Sequence, residues 1–136
     1  MGSKGGKSHL KRLAAPGFWP IHRKEKVWTI KPSPGPHPSD RSIPLLVVVR
    51  DLLGLAKTSK EAGIIISEGK IKVDGKIRKD KKFPVGLMDV IEVSGLNKFF
   101  RVVPSTQRFF AFQPIDEEEK TFKLCRIENK TTVKEG

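Results

Sequence analysis

An α+β chain is predicted: an extended basic N-terminal arm over residues 1–42, a small domain over 43–95 with two to three helices packed on a short antiparallel sheet, and a β-rich segment over 96–136. Three features carry this prediction. The arm is rich in Pro, Gly and cations and has no sustained apolar period. The middle of the chain changes from a 3.6-residue to a two-residue apolar period at Gly69. From Leu96 onward, short runs of Phe, Val and Ile alternate with polar turns.

The arm holds six prolines between Pro16 and Pro38 together with Gly2, Gly5, Gly6 and Gly17. Such a segment buries too little surface to offset its conformational entropy, so alone it is expected to be extended and mobile. Phe18, Trp19 and Trp28 stand among His9, Lys11, Arg12, His22, Arg23, Lys24, Lys26 and Lys31. Two readings of these aromatics stay open, and both can hold together: they stack on bases beside phosphate-binding cations, or they pack back onto the domain.

Within the domain, Pro44 at a first helical position, Leu45, Val48, Val49, Leu52 and Leu53 at helical spacing and Gly54 as a stop favour a helix. Three consecutive valines also suit a strand. Thr58 followed by Glu61 forms a capping box, in which the Thr58 hydroxyl accepts from the third helical amide and Glu61 reaches back to the Thr58 amide. Ala62, Ile65 and Ile66 give that second helix one apolar face, and Gly69 suits a left-handed cap. Ile71 and Val73 then alternate with Lys70 and Lys72 up to Asp74-Gly75, a two-residue hairpin signal, after which Lys76 and Arg78 flank Ile77. One hairpin face is expected to be apolar and the other to carry Lys70, Lys72, Lys76 and Arg78. Met88–Val93 reads as a further strand, approached through Pro84 and Gly86. In the last segment Phe99–Val103, Arg108–Phe112 and Thr121–Ile127 read as strands, and Asp116–Glu119 as a solvated loop.

Charge narrows the function. Lys plus Arg number 27 against 15 Asp plus Glu, a net +12. Residues 1–50 alone hold ten basic and two acidic side chains. A polyanionic partner follows, nucleic acid before membrane, since neither a basic amphipathic helix nor a long apolar span is present. The single cysteine, Cys125, excludes an internal disulfide and a cysteine-based zinc site, and is expected to be a buried structural thiol. No secretory signal precedes the arm, so the expected compartment is the cytoplasm. The three histidines, at 9, 22 and 37, all fall in the arm with no HExxH, CxxC or serine elbow, and the glycines form no phosphate loop. No catalytic residues, metal ligands, cofactor or small-molecule substrate are expected.

The second helix, the Gly69–Lys76 hairpin and the Met88–Val93 strand together resemble the ribosomal S-four-type RNA-binding domain. The leader residues His9-Leu10-Lys11-Arg12-Leu13-Ala14-Ala15-Pro16, Trp19 and Pro32-Ser33-Pro34-Gly35-Pro36-His37 resemble the N-terminal signature of one family, the small-subunit ribosomal protein S-four-e of archaea and eukaryotes. In that family a basic leader precedes the RNA-binding domain in this order. Members continue into a larger β module with a KOW-like segment and a C-terminal region; neither is found, so the chain is expected to match an N-terminal portion of the pattern. The resemblance implies a structural ribosomal protein bound to small-subunit ribosomal RNA and neighbouring ribosomal proteins. It assigns RNA contacts to Lys57, Thr58, Ser59, Lys60, Lys70, Lys72, Lys76 and Arg78 in a domain groove, and to His9, Lys11, Arg12, Trp19, Arg23 and Lys24 in the leader. Common members carry Arg-Leu-Asp where this chain has Ile43-Pro44-Leu45, which passes that arginine's contacts to Arg41 or Arg50. An RNA-targeting module of an rRNA-modifying enzyme and a ribosome-associated RNA chaperone are the alternatives; the first needs a catalytic domain that is not visible.

Overall fold

The computed structural model describes residues 7–107 and 109–135. The strand start expected at Arg108 and the glycines Gly2, Gly5 and Gly6 lie outside the described residues. In chain order the elements are β1 (Leu10–Lys11), β2 (Trp28–Thr29), β3 (Ile43–Pro44), α1 (Leu45–Val47), α2 (Ser59–Ser67), β4 (Ile71–Val73), β5 (Lys76–Ile77), β6 (Pro84–Val85), β7 (Val90–Val93), β8 (Lys98–Pro104) and β9 (Phe110–Ile115). The chain is α+β. An antiparallel sheet of order β5-β4-β7-β8-β9 is flanked by two small antiparallel pairs, β1-β2 and β3-β6.

The first helix forms where its apolar spacing predicts, with a different winding. Pro44 stands just outside, with an extended backbone, and α1 runs straight into a π-helical turn over Val48–Leu52. Leu53 donates to the Val48 carbonyl at 2.9 Å, and Gly54 at φ +64° ends the run. The two leading amides are capped from the β6 side: Leu45 donates to Phe83 O at 2.9 Å and Leu46 to Lys81 O at 3.0 Å. Leu45, Val47, Val48 and Val49 are fully buried against Ala62 and Ile66 of α2 and Ile71, Ile91 and Val102 of the sheet. Each such side chain contributes about 1.5–3 kcal/mol by leaving water.

The Asp74-Gly75 turn has both residues at positive φ, +53° and +79°, the geometry of a type I′ hairpin. The strand expected from Met88 starts instead at Val90. Met88 lies in the left-handed region at φ +66°, and the buried Asp89 carboxylate accepts from the Gly86 amide at 3.0 Å. These contacts fold the chain into a tight bend before β7, where Met88 still donates to Val102 O at 2.8 Å and the Asp89 carbonyl accepts from the Val102 amide at 3.0 Å.

β8 pairs with β7 and β9 with β8, so the sheet is continuous across residues 95 and 96. Pro114 lies in β9, which is an edge strand, where a missing N–H costs no ladder bond. The strand expected over Thr121–Ile127 does not form, and Cys125 is exposed rather than buried. Among the described residues no strand pairs with this stretch. It is held at its start by Arg101, which donates from Nη2 to the carbonyls of Glu119 at 2.5 Å and Phe122 at 2.7 Å.

The leader is largely irregular, yet it packs on the domain instead of running free. Trp19 is only 3% exposed and donates its indole N–H to Ser42 O at 3.0 Å, and Ala15 joins the same core. Phe18 packs on Phe109 and Phe110, with centroids at 4.7 and 5.3 Å. Proline and glycine content hides these aromatic anchors, which supply the apolar burial that composition alone denies the segment.

Candidate nucleic-acid interface

The N-terminus of α2 is built by local chemistry. The Thr58 hydroxyl accepts from the Glu61 amide at 3.2 Å, as the capping box requires. Glu61 returns its carboxylate to the Lys57 amide at 2.9 Å, one residue earlier than expected. Ser59 Oγ accepts from Arg50 Nη1 at 2.5 Å, while Arg50 also reaches Asp51, at 2.8 Å from Nη2. The π turn thus delivers Arg50 to the start of α2. Lys57, Thr58, Ser59 and Lys60 are all exposed there.

The leader folds over this end. Leu10 pairs with Thr29 and Lys11 with Trp28 in the β1-β2 ribbon. Arg12 is 6% exposed: its Nε donates to Trp28 O at 3.1 Å and its Nη1 to His22 O at 2.9 Å. Arg23 donates to the carbonyls of Arg12 and Ala15 at 2.8 Å and of Pro16 at 2.6 Å. Arg12, Trp19 and Arg23, expected at an RNA surface, therefore spend their hydrogen-bonding groups inside the leader. They shape the interface by satisfying carbonyls that a segment poor in secondary structure leaves unpaired.

Between leader and domain lies a cavity of about 340 Å³ lined by His9, Lys26, Trp28, Lys31, Lys81 and Lys82 among others. A smaller cleft of about 100 Å³ adjoins it beside Lys57, Thr58 and His22. Arg12, Lys26, Arg50 and Ser59 line both, so the two form one cationic channel leading to the α2 start. Glu25 and Asp51 also line the smaller cleft, and Asp51 is paired with Arg50. Lys81 and Lys82 are missing from the sequence-based site. The Lys79–Lys82 run signals them, but their position depends on the Lys81 and Lys82 carbonyls accepting from Leu46 and Ser33 at 3.0 and 2.9 Å. Arg50 lines the channel; Arg41, Lys24 and Lys60 sit on exposed surface outside both cavities.

The hairpin corrects another expectation. Its register pairs Lys72 with Ile77 and Val73 with Lys76, and residues opposite one another share a face. Lys70 and Lys72 therefore lie on one face with Ile77, while Lys76 and Arg78 lie on the other. A two-residue turn reverses the parity of the returning strand, and that reversal splits the four cations. Ile77 is 54% exposed as a result. Lys70 pairs with Glu68 at 2.6 Å, Lys72 with Glu92 at 3.4 Å, and Arg78 stacks over Phe83 at 4.5 Å. Part of the hairpin's charge is thus neutralised at home.

Among the described residues no three His, Cys, Asp or Glu side chains gather to hold a metal, and no helix is long and apolar enough to cross a membrane. Asp116–Glu119 is exposed.

Comparison with known proteins adds three family matches in chain order. The RS4NT domain matches residues 4–40, the S4 domain 43–91 and the ribosomal family S4e 96–136. A relative from Ignicoccus hospitalis, named small ribosomal subunit protein eS4, is 62% identical over 132 residues, covering 97% of this chain and 52% of the relative. One of the same name from Desulfurococcus amylolyticus is 60% identical over 136 residues, covering 100% of this chain and 54% of the relative. The chain thus spans about half the length of these curated relatives. The crystal structure of 30S ribosomal protein S4e from Thermoplasma acidophilum is 41% identical, with a TM-score of 0.50, and the match covers 60% of this chain and 41% of that one.

Proposed function

The chain belongs to the S4e family of small-subunit ribosomal proteins, and from that premise we propose that it is a structural constituent of the small ribosomal subunit. It acts by binding small-subunit ribosomal RNA, with ribosomal proteins as neighbours, in the cytoplasm. The observation that carries this reading is the cationic channel where Lys26 and Lys31 of the leader, Arg50 of the π turn, Lys57 beside α2 and Lys81 and Lys82 before β6 line one continuous surface. Cations spread over separate elements and fixed by backbone contacts suit the phosphates of a folded RNA, whose shape rather than sequence they follow. His9 and Lys11 extend the surface along the ribbon, while Lys60 and the hairpin's Lys70, Lys72, Lys76 and Arg78 supply a wider positive field. The relatives' name favours a structural role over an enzymatic one.

The test is the salt dependence of affinity for small-subunit ribosomal RNA. About five phosphate contacts give a slope of log affinity against log salt near −4. A slope near zero contradicts the electrostatic account.

A further inference from the structure

We propose that the cavity beside Trp28 receives one unstacked nucleobase of the bound RNA, with the Trp28 indole as its stacking platform. The inference rests on the ribosomal-RNA reading above and goes beyond it, from phosphate contact to recognition of an unpaired nucleotide.

The two tryptophans divide the argument. Trp19 is 3% exposed and committed to the core; Trp28 is 56% exposed. An indole left that open loses the benefit of burial unless a ligand covers it. Trp28 is nevertheless held firmly. Its backbone pairs with Lys11 in the β1-β2 ribbon, and its carbonyl accepts from the buried Arg12 guanidinium at 3.1 Å. The His9 ring meets it edge-on at 5.8 Å and 61°, and Lys11 Nζ lies 5.8 Å from its centroid. A platform fixed before binding loses little freedom when a base lands on it.

Its surroundings select the ligand. The cavity is about 340 Å³, within the range of small-ligand sites, and its rim carries Lys26, Lys31, Lys81 and Lys82. An aromatic face beside several cations fits a base and its flanking phosphates, the pairing by which single-stranded segments are gripped. A base in a duplex has no free face for Trp28, so the nucleotide is unpaired.

The test follows tryptophan emission of the full chain on addition of a ten-nucleotide oligoadenylate or of an RNA duplex. The expected result is quenching by the single strand, absent with the duplex and absent in Trp28→Phe, where Trp19 alone emits. Trp28→Ala should weaken oligoadenylate binding about tenfold while leaving the salt slope unchanged, and Trp28→Phe should restore most of it. Lys81→Ala with Lys82→Ala should instead make the slope shallower. The blue-shifted emission of buried Trp19 verifies that each variant is folded. Unaltered affinity and no quenching in Trp28→Ala and wild type, with a steep salt slope for ribosomal RNA retained, overturns the stacking site and leaves ribosomal-RNA binding standing. A wild-type chain with no salt-dependent binding to ribosomal RNA overturns both.

Discussion

The Asp89 carboxylate, 1% exposed, ties two distant parts of the chain to its own bend. It accepts from His37 Nε2 of the leader at 2.9 Å, the Gly86 amide at 3.0 Å and Lys123 Nζ of the last segment at 3.1 Å, while Lys123 also meets Asp74 at 2.6 Å. Removing a buried charge while leaving its partners in place is costly, so Asp89→Ala should destabilise the fold by about 3 kcal/mol in chemical denaturation. A loss below about 1 kcal/mol would show that solvent satisfies the partners. Partial burial works against the Lys123 ammonium, but its hydrogen bonds to Asp74 and Asp89 outweigh it and hold its pKa above the usual 10.5. A cation whose pKa is raised on folding stabilises fully below the unfolded value and loses that contribution as pH rises through the folded one. Above pH 10.5 the wild type should therefore lose stability faster than Lys123→Gln, and parallel curves would remove the linkage. None of this node was legible in the sequence. Asp89 reads as one residue of an alternating strand, and its partners lie 52 and 34 positions away.

At the level of elements, legibility followed the range of the interactions. The α2 cap and the Asp74-Gly75 turn depend on neighbours in sequence, and both were readable there. Because the Thr58 hydroxyl holds the Glu61 amide, Thr58→Ala should cost about 1 kcal/mol, and an unchanged melting curve would remove the cap from the account. The hairpin faces differ from the expected split although their parity follows from the turn length, since residues 73 and 76 must stand opposite each other. Docking of the leader depends instead on Trp19 entering the core beside residues such as Leu45 and Ala62, far along the chain, which no local pattern encodes. Trp19→Ala should cost about 3–5 kcal/mol and expose the leader to protease. A leader acting as an independent arm would leave the melting transition untouched. Gly86 allows a close approach, since a Cβ there would fall 2.4 Å from the His37 ring.

Over the whole molecule, composition pointed to a polyanionic partner, the reading proposed above, and periodicity gave the α+β class, because both are sums over many residues. What remained hidden was how the parts join. The sheet continues from β7 into β8 and β9, and the leader closes over the α2 start to make the channel. Of the leader side chains expected at RNA, Arg12 and Arg23 bond carbonyls and Trp19 fills the core, while Lys26 and Lys31 of the leader share the channel wall with Arg50, Lys57, Lys81 and Lys82. That exchange separates the candidate site from its sequence-based version. The most direct measurement of the central claim is sedimentation of cell extract through a density gradient at moderately high salt, with the chain followed by immunoblot. Stable migration with the small ribosomal subunit is the result the account predicts. Recovery at the top of the gradient, with RNA binding intact, would contradict a structural role.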